Sequence, residues 1–299
     1  ELIHESSMTA LTRLHWLDEL GKLVDAEAFI AELTRQSFAV VAVPVPMAAP
    51  VRGIFAAPET VLGHSGAAGP LVWSFKRQGE LKERSQIRRV SLTDAENLLD
   101  AEDLLLSSFQ VLESIAAEVM GAWCTSQKLP LDLAKERFGD LSFAPPGSSS
   151  EELGKGKSVL NLYHYFNSCE EEPCRSHADP GLVTVLGRST LPGLQAVLPV
   201  KPGGAPGRPA VYEDHWCDLE PLMDELGQGK EPHVPFLVLV GESLERLSGG
   251  WHPSCVHRVK HSEVPGRSRF NMAFELRPRC NLWHPWQSLL ATPETEAKS

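Results

Sequence analysis

Cationic side chains are the scarce charge in this chain: 28 Lys and Arg stand against 39 Asp and Glu, a formal net charge of −11. Such a balance repels a phosphate backbone, and no lysine- or arginine-rich run is interleaved with aromatics, so nucleic acid is not expected as a partner. A run of about 18 consecutive apolar residues, enough to cross a bilayer, is also missing, which predicts a soluble protein with no membrane partner. The six cysteines, Cys124, Cys169, Cys174, Cys217, Cys255 and Cys280, are too sparse for a disulfide scaffold and read as reduced thiols. Cys169 and Cys174 flank Glu170-Glu171-Glu172, but no second cysteine pair at ligand spacing joins them, so the stretch reads as a mobile acidic loop rather than a zinc site. No charged-then-apolar leader precedes the first periodic segment, and a cytoplasmic monomer is the default expectation. No internal repeat is visible. What remains is a chain of 299 residues, 42% hydrophobic and 22% charged, with enough material for a sizeable core in one large domain or two ordinary ones.

From Met8 to Gln36 the apolar residues Leu11, Leu14, Leu17, Leu20, Leu23, Phe29, Ile30 and Leu33 recur at three- and four-residue steps, which predicts one or two helices. Phe38 to Val43 is β-branched and apolar enough for a strand, closed by Pro44 and Pro46. Residues 48–89 carry short apolar pieces such as Leu71 to Phe75 among glycine, proline and basic groups, and assign nothing. Thr93-Asp94-Ala95-Glu96 reads as a capping box before a long helix reaching about Gln127, with a stripe of Leu98, Leu105, Phe109, Leu112, Ile115, Ala116 and Val119 that packs on a sheet. Asp140 to Lys157 is a loop by composition. Beyond it come short strands broken by turn residues: Val159 to Tyr165, Leu182 to Leu186, Leu194 to Leu198, Pro235 to Val240, Cys255 to Val259 and Phe270 to Leu276. That texture predicts a double-sheet jelly roll rather than alternating strands and helices. Lys201 to Pro209 reads as a surface excursion, and Thr292 to Ser299 as a disordered polar tail.

The chemistry gathers at His177-Ala178-Asp179-Pro180-Gly181, ahead of the apolar run Leu182 to Leu186. On an extended strand, side chains two positions apart share a face, which sets an imidazole nitrogen beside a carboxylate oxygen. A second histidine arriving from elsewhere completes the two-histidine, one-carboxylate face that holds ferrous iron and leaves the opposite positions open. His257, within Ser254-Cys255-Val256-His257-Arg258-Val259, supplies it. Without His257 the plainer reading, a surface histidine and a turn aspartate, would stand. His164, His215, His233, His252, His261 and His284 lack the partner pattern and read as solvent-facing or packing residues, with His252 the nearest competitor to His257.

These motifs keep company in a fixed order: His177 to Leu186, then Gly193-Leu194-Gln195, then Gly241 to Gly250, then His257-Arg258-Val259. In that order the chain resembles the isopenicillin N synthase-like iron(II)/2-oxoglutarate dioxygenases, over about Val159 to Pro278. The resemblance implies a single domain, 1–299, with an N-terminal helical and mixed region to 157, a double-stranded β-helix (jelly-roll) core over 158–280, and a C-terminal segment from 281. It implies Fe(II) on His177, Asp179 and His257, with 2-oxoglutarate and dioxygen as co-substrates and ascorbate as a candidate reductant. The distal carboxylate of 2-oxoglutarate needs a fixed cation, and the planar fork of arginine suits that task. The family's arginine-x-serine motif falls at Arg269-Phe270-Asn271, with asparagine in place of serine and a gap of 269 − 257 = 12 residues that implies a bulge at Val264-Pro265-Gly266; Arg267 is the alternative. The asparagine-x-tyrosine motif falls at Asn161-Leu162-Tyr163, so Tyr163 is the expected contact to the near end of 2-oxoglutarate, with Tyr165 its rival. The reaction implied is oxidation of a small organic substrate, hydroxylation by default, with release of succinate and CO2. Trp283, His284 and Trp286 are placed to contribute to a substrate pocket. Three other readings stay open: an oxidase of the same fold that does not use 2-oxoglutarate, a zinc hydrolase on the same residues, and a non-catalytic binding module.

Overall fold

An uninterrupted apolar run marks a strand covered on both faces. Phe38 to Val43 is such a run, and all six residues are buried in β2 (Phe38–Pro44). The computed structural model describes residues 12–56, 77–78, 82–87, 100–130, 158–166, 172–201, 211–229, 232–261 and 266–278. Among these, β2 lies between β1 (Leu14–Trp16), parallel to it, and β10 (His233–Val240), antiparallel to it. The remaining strands are β3 (Arg77–Gln78), β4 (Lys82–Ile87), β5 (Val159–Tyr165), β6 (Cys174–His177), β7 (Val183–Gly187), β8 (Leu194–Lys201), β9 (Val211–Asp218), β11 (His257–Val259) and β12 (Arg269–Leu276). They form an eight-stranded sheet ordered β1-β2-β10-β7-β12-β5-β4-β3 and a four-stranded sheet ordered β6-β11-β8-β9.

The inner faces of the two sheets share one apolar cluster. Tyr165, Leu186, Leu237, Leu239 and Ala273 from the large sheet meet Leu194, Ala196 and Val259 from the small one. The outer face of the large sheet, with Val185, Phe236, Val238, Met272 and Phe274, is covered by α1 (Ala26–Gln36), α2 (Val45–Ala56) and α3 (Asp100–Ser126). Phe109 of α3 meets Phe274 of β12 edge to face, with centroids 5.0 Å apart. Two sheets, antiparallel apart from the β1–β2 pair, closed on one interior, with helices on one outer side, make a jelly roll.

The expected strands and the long helix are present, and the differences have identifiable causes. Of the periodic segment ending at Gln36, only Ala26–Gln36 is helical; Leu14–Trp16 is a strand, and residues before 12 lie outside the described set. A buried tertiary contact overrides the helical period there, since His15 Nε2 lies 3.2 Å from Glu32 Oε2 and the Arg13 amide donates to the same carboxylate. Asp18 Oδ1 then accepts from the Leu20 and Lys22 amides, and Gly21 takes φ +75° to complete the turn. After β2 the chain enters α2 despite Pro46, because a proline in a first helical turn removes only an amide with no partner inside the helix.

The expected loop around Cys169 and Cys174 is corrected in part. Cys174 begins β6, which pairs with β11, and Glu172 forms an ion pair with Arg258 at 2.5 Å. Cys169, the capping box at 93–96, residues 140–157, most of the Lys201 to Pro209 excursion and the 283–286 aromatics lie outside the described residues. Leu104–Ser126 is long and apolar enough to cross a membrane by length and composition. Its Leu105, Phe109, Leu112, Ile115, Val119 and Trp123 are buried in the protein core. Neither β9 nor α4 (Leu219–Gly227) was anticipated from the sequence.

Candidate metal and co-substrate site

β6 ends at His177 and β11 begins at His257, and pairing of the two strands sets these residues directly opposite each other. Their ring centroids are 4.4 Å apart. Each imidazole is anchored by its own chain: His177 Nδ1 lies 2.8 Å from the Arg175 carbonyl oxygen, and His257 Nδ1 lies 3.0 Å from that of Cys255. A carbonyl can only accept, so each Nδ1 carries the hydrogen and each Nε2 keeps its lone pair for another partner. Both Nε2 atoms face Asp179 Oδ1, at 3.7 Å from His177 and 3.9 Å from His257. Among the described residues these three form the one group of such side chains whose ligand atoms all lie within 4.8 Å of one another. His257 is 8% exposed and His177 41%, so the group is buried on one side and open on the other.

Asp179 reaches this position by a route the strand argument did not foresee. β6 stops at His177, and Asp179 sits in the following turn rather than on the strand. Its main-chain oxygen accepts from the Glu242 amide at 2.8 Å, at the start of α5 (Glu242–Leu247). Its Oδ2 accepts from the Thr184 hydroxyl at 2.6 Å, which leaves Oδ1 toward the histidines. Two glycines permit this close packing. A Cβ on Gly181 would lie 2.7 Å from the Leu276 carbonyl oxygen, and one on Gly241 would collide with the Gly181 carbonyl.

Two imidazoles and one carboxylate on a single face match the donor set preferred by non-haem iron(II). The Cys174 sulfur, 3.9 Å from His177 Nδ1, pushes that imidazole up to about 9, against the lowering effect of its partial burial. A metal and a proton compete for the same lone pair, so metal binding at this site displaces a proton. His252, the competing histidine, is 3% exposed and remote in role: Thr34 Oγ1 lies 3.1 Å from its Nδ1, and burial lowers it to about 4.

Arg269 and Asn271 lie on the interior face of β12 with Ala273, opposite Tyr165 and Tyr163 of β5. The two candidate arginines differ in burial: Arg269 is 2% exposed, whereas Arg267 is exposed. The Arg269 Nε donates to the Leu191 carbonyl at 3.0 Å and Nη2 donates to Glu220 Oε1 at 2.7 Å. Nη1 is buried without a hydrogen-bond partner among the described residues. Asn271 Oδ1 accepts from the Met272 amide at 2.8 Å, so the rest of its amide is a donor. Tyr163 and Tyr165 stack at 5.7 Å, and both phenols are shifted upward, chiefly by burial. Asp179 adds to the shift of Tyr163, and Tyr165 lies under the Arg269 guanidinium at 5.2 Å. Thr184 and Glu220 belong to this site and were not singled out from the sequence, where each is one polar residue in an ordinary apolar stretch.

The model of the 2OG-Fe(II) oxygenase superfamily matches residues 157–278. The matched stretch runs from β5 to β12 and carries His177, Asp179 and His257. Among curated proteins, gibberellin 3-beta-dioxygenase 2 of Arabidopsis thaliana is 27% identical over 159 residues, which are 52% of this chain and 35% of that protein. A 1-aminocyclopropane-1-carboxylate oxidase of Dictyostelium mucoroides is 30% identical over 105 residues, 35% of this chain and 22% of that protein. The chain thus spans about a third or less of the length of these curated relatives. Among solved structures, dioxygenase for auxin oxidation 1 of Arabidopsis thaliana in complex with 2-oxoglutarate superposes with a TM-score of 0.60. That match has 15% identity and covers 95% of this chain and 98% of that one, and it establishes the shared jelly-roll fold.

Proposed function

We propose that the protein is an Fe(II)- and 2-oxoglutarate-dependent dioxygenase that oxidises, by default hydroxylates, a small organic substrate. The observation that carries this reading is the convergence of His177 Nε2, His257 Nε2 and Asp179 Oδ1 on one face, in a barrel whose interior also holds a buried arginine with an open Nη1. His177, Asp179 and His257 hold iron(II), their donor atoms set by the Arg175, Cys255 and Thr184 hydrogen bonds. Iron(II) bound there supplies dioxygen activation, coupled to conversion of 2-oxoglutarate to succinate and CO2. Arg269 holds the distal carboxylate of 2-oxoglutarate through Nη1, and the Asn271 amide donates beside it. Tyr163, opposite Asn271 on the same interior face, donates its hydroxyl near the metal end of the co-substrate. A phenol is protonated at neutral pH, as a donor must be, and burial shifts this one further upward.

Anaerobic loading with iron(II), followed by oxygen and 2-oxoglutarate, is expected to yield succinate in a strictly iron-dependent manner, in step with turnover of a supplied small organic substrate. Substrate turnover without succinate would replace this reading with an oxidase that needs no 2-oxoglutarate. Full iron occupancy in His177→Ala or His257→Ala would remove the metal assignment.

A further inference from the structure

Glu220 is buried at 2% exposure on α4, and the carboxylate is fully engaged. Its Oε1 accepts from the Ser189 hydroxyl at 2.6 Å and from Arg269 Nη2 at 2.7 Å; its Oε2 accepts from the Leu194 amide at 2.8 Å and the Gly193 amide at 3.3 Å. Ser189, Gly193 and Leu194 surround the start of β8, so the acid is clamped from the same segment whose Leu191 carbonyl receives Arg269 Nε. In a guanidinium, Nε–H and one Nη2–H form one edge, while Nη1 and the other Nη2–H form the end. Protein therefore takes Arg269 Nε–H and one Nη2–H, and Nη1, at the end of the fork, has no hydrogen-bond partner among the described residues. A buried ion pair whose remaining donors and acceptors are satisfied by fixed groups holds one geometry, since every alternative rotamer would strand a charge.

We propose that Glu220 is the positioning residue that fixes the end of the Arg269 guanidinium, and thereby sets the length of 2-oxo diacid that the site accepts. The proposal rests on the reading of Arg269 as the co-substrate arginine. With one carboxyl end on the metal and the other on a guanidinium that cannot swing, a diacid one carbon too long or too short misses one of its two anchors. Loss of the Glu220 charge alone would change attraction for all such diacids to a similar extent, because each brings the same two carboxylates. Loss of positioning changes their ranking instead.

The test measures binding to iron(II)-loaded protein under argon by calorimetry, with 2-oxoglutarate, the one-carbon-longer 2-oxoadipate, and pyruvate, which lacks the distal carboxylate. Wild-type protein is expected to prefer 2-oxoglutarate over both. Glu220→Gln is expected to shrink the preference over 2-oxoadipate by roughly tenfold or more, the scale on which one misplaced methylene is discriminated. An unchanged preference in that variant overturns the proposal. Arg269→Ala is expected to abolish the preference over pyruvate; if that preference survives, the reading of Arg269 itself fails, and the proposal with it. A wild-type measurement covers the case in which Glu220→Gln does not fold. In protein labelled with 15N-arginine, saturation with 2-oxoglutarate should shift the Arg269 Nη1 resonance while the Nε–H signal, held by Leu191, stays in place. Movement of Nε–H on binding would show a guanidinium that is not held, and overturns the proposal.

Discussion

Replacement of Thr184 by valine isolates one hydrogen bond at the metal site. Valine keeps the branched shape of a side chain that is 2% exposed and removes the hydroxyl that donates to Asp179 Oδ2 at 2.6 Å. A hydrogen bond to a charged acceptor contributes about 1.5–3 kcal/mol, and complete transmission of that energy to the metal would weaken affinity by roughly 10- to 150-fold. Transmission is partial here. The Asp179 main chain stays tied to the Glu242 amide, and both histidines keep their carbonyl anchors, so only the rotation of the carboxylate is released. The expected loss is therefore about tenfold, near the low end of the range typical of groups that orient metal ligands. Iron(II) affinity can be measured anaerobically by competition with a chromogenic chelator, with circular dichroism confirming the fold. Thr184→Ser, which keeps the hydroxyl, should stay near wild type. An affinity for Thr184→Val within about twofold of wild type would refute the argument that this bond holds Asp179 in a ligating orientation.

At position 271, Asn271→Ser should keep near-normal use of 2-oxoglutarate, whereas Asn271→Asp places a negative charge against a carboxylate and should raise the concentration required severely; equal KM values for the two variants would show that residue 271 does not face the co-substrate. Phe274→Ala removes a fully buried ring and its edge contact with Phe109, and should lower unfolding free energy by about 3–5 kcal/mol in denaturant titration; a loss below 1 kcal/mol would contradict the packing of α3 on the sheet. His252 gives a pH signature. Its folded value of about 4 lies below the ordinary 6.5, so the unfolded chain binds the proton more readily; the stability it contributes is complete above about pH 6.5 and is lost as pH falls toward about 4. His252→Gln should accordingly lose less stability than wild type between pH 7 and pH 4.5, and parallel pH profiles would argue against a buried neutral imidazole.

The sequence by itself determined the elements whose signal is local. Phe38 to Val43, Val159 to Tyr165 and Phe270 to Leu276 are apolar or β-branched enough to be strands in any sheet that covers them, and each is one. The spacing of His177 and Asp179, with His257 inside the apolar stretch Cys255 to Val259, marked the three side chains that converge. The route was different from the one expected, because Asp179 turns back from a strand end instead of sharing its face. Only the tertiary structure decided what depends on partners distant in the chain. Leu14–Trp16 has the spacing of a helix and becomes a strand because it pairs with β2 while His15 meets Glu32. Arg269 is separated from Arg267 by burial, and burial follows from which residue the β12 register turns inward beside Tyr165. Thr184 and Glu220 carry no motif at all. Glu220 lies 49 residues before Arg269 in sequence, and its role exists only because α4 packs under the start of β8 and carries its carboxylate to the edge of the guanidinium.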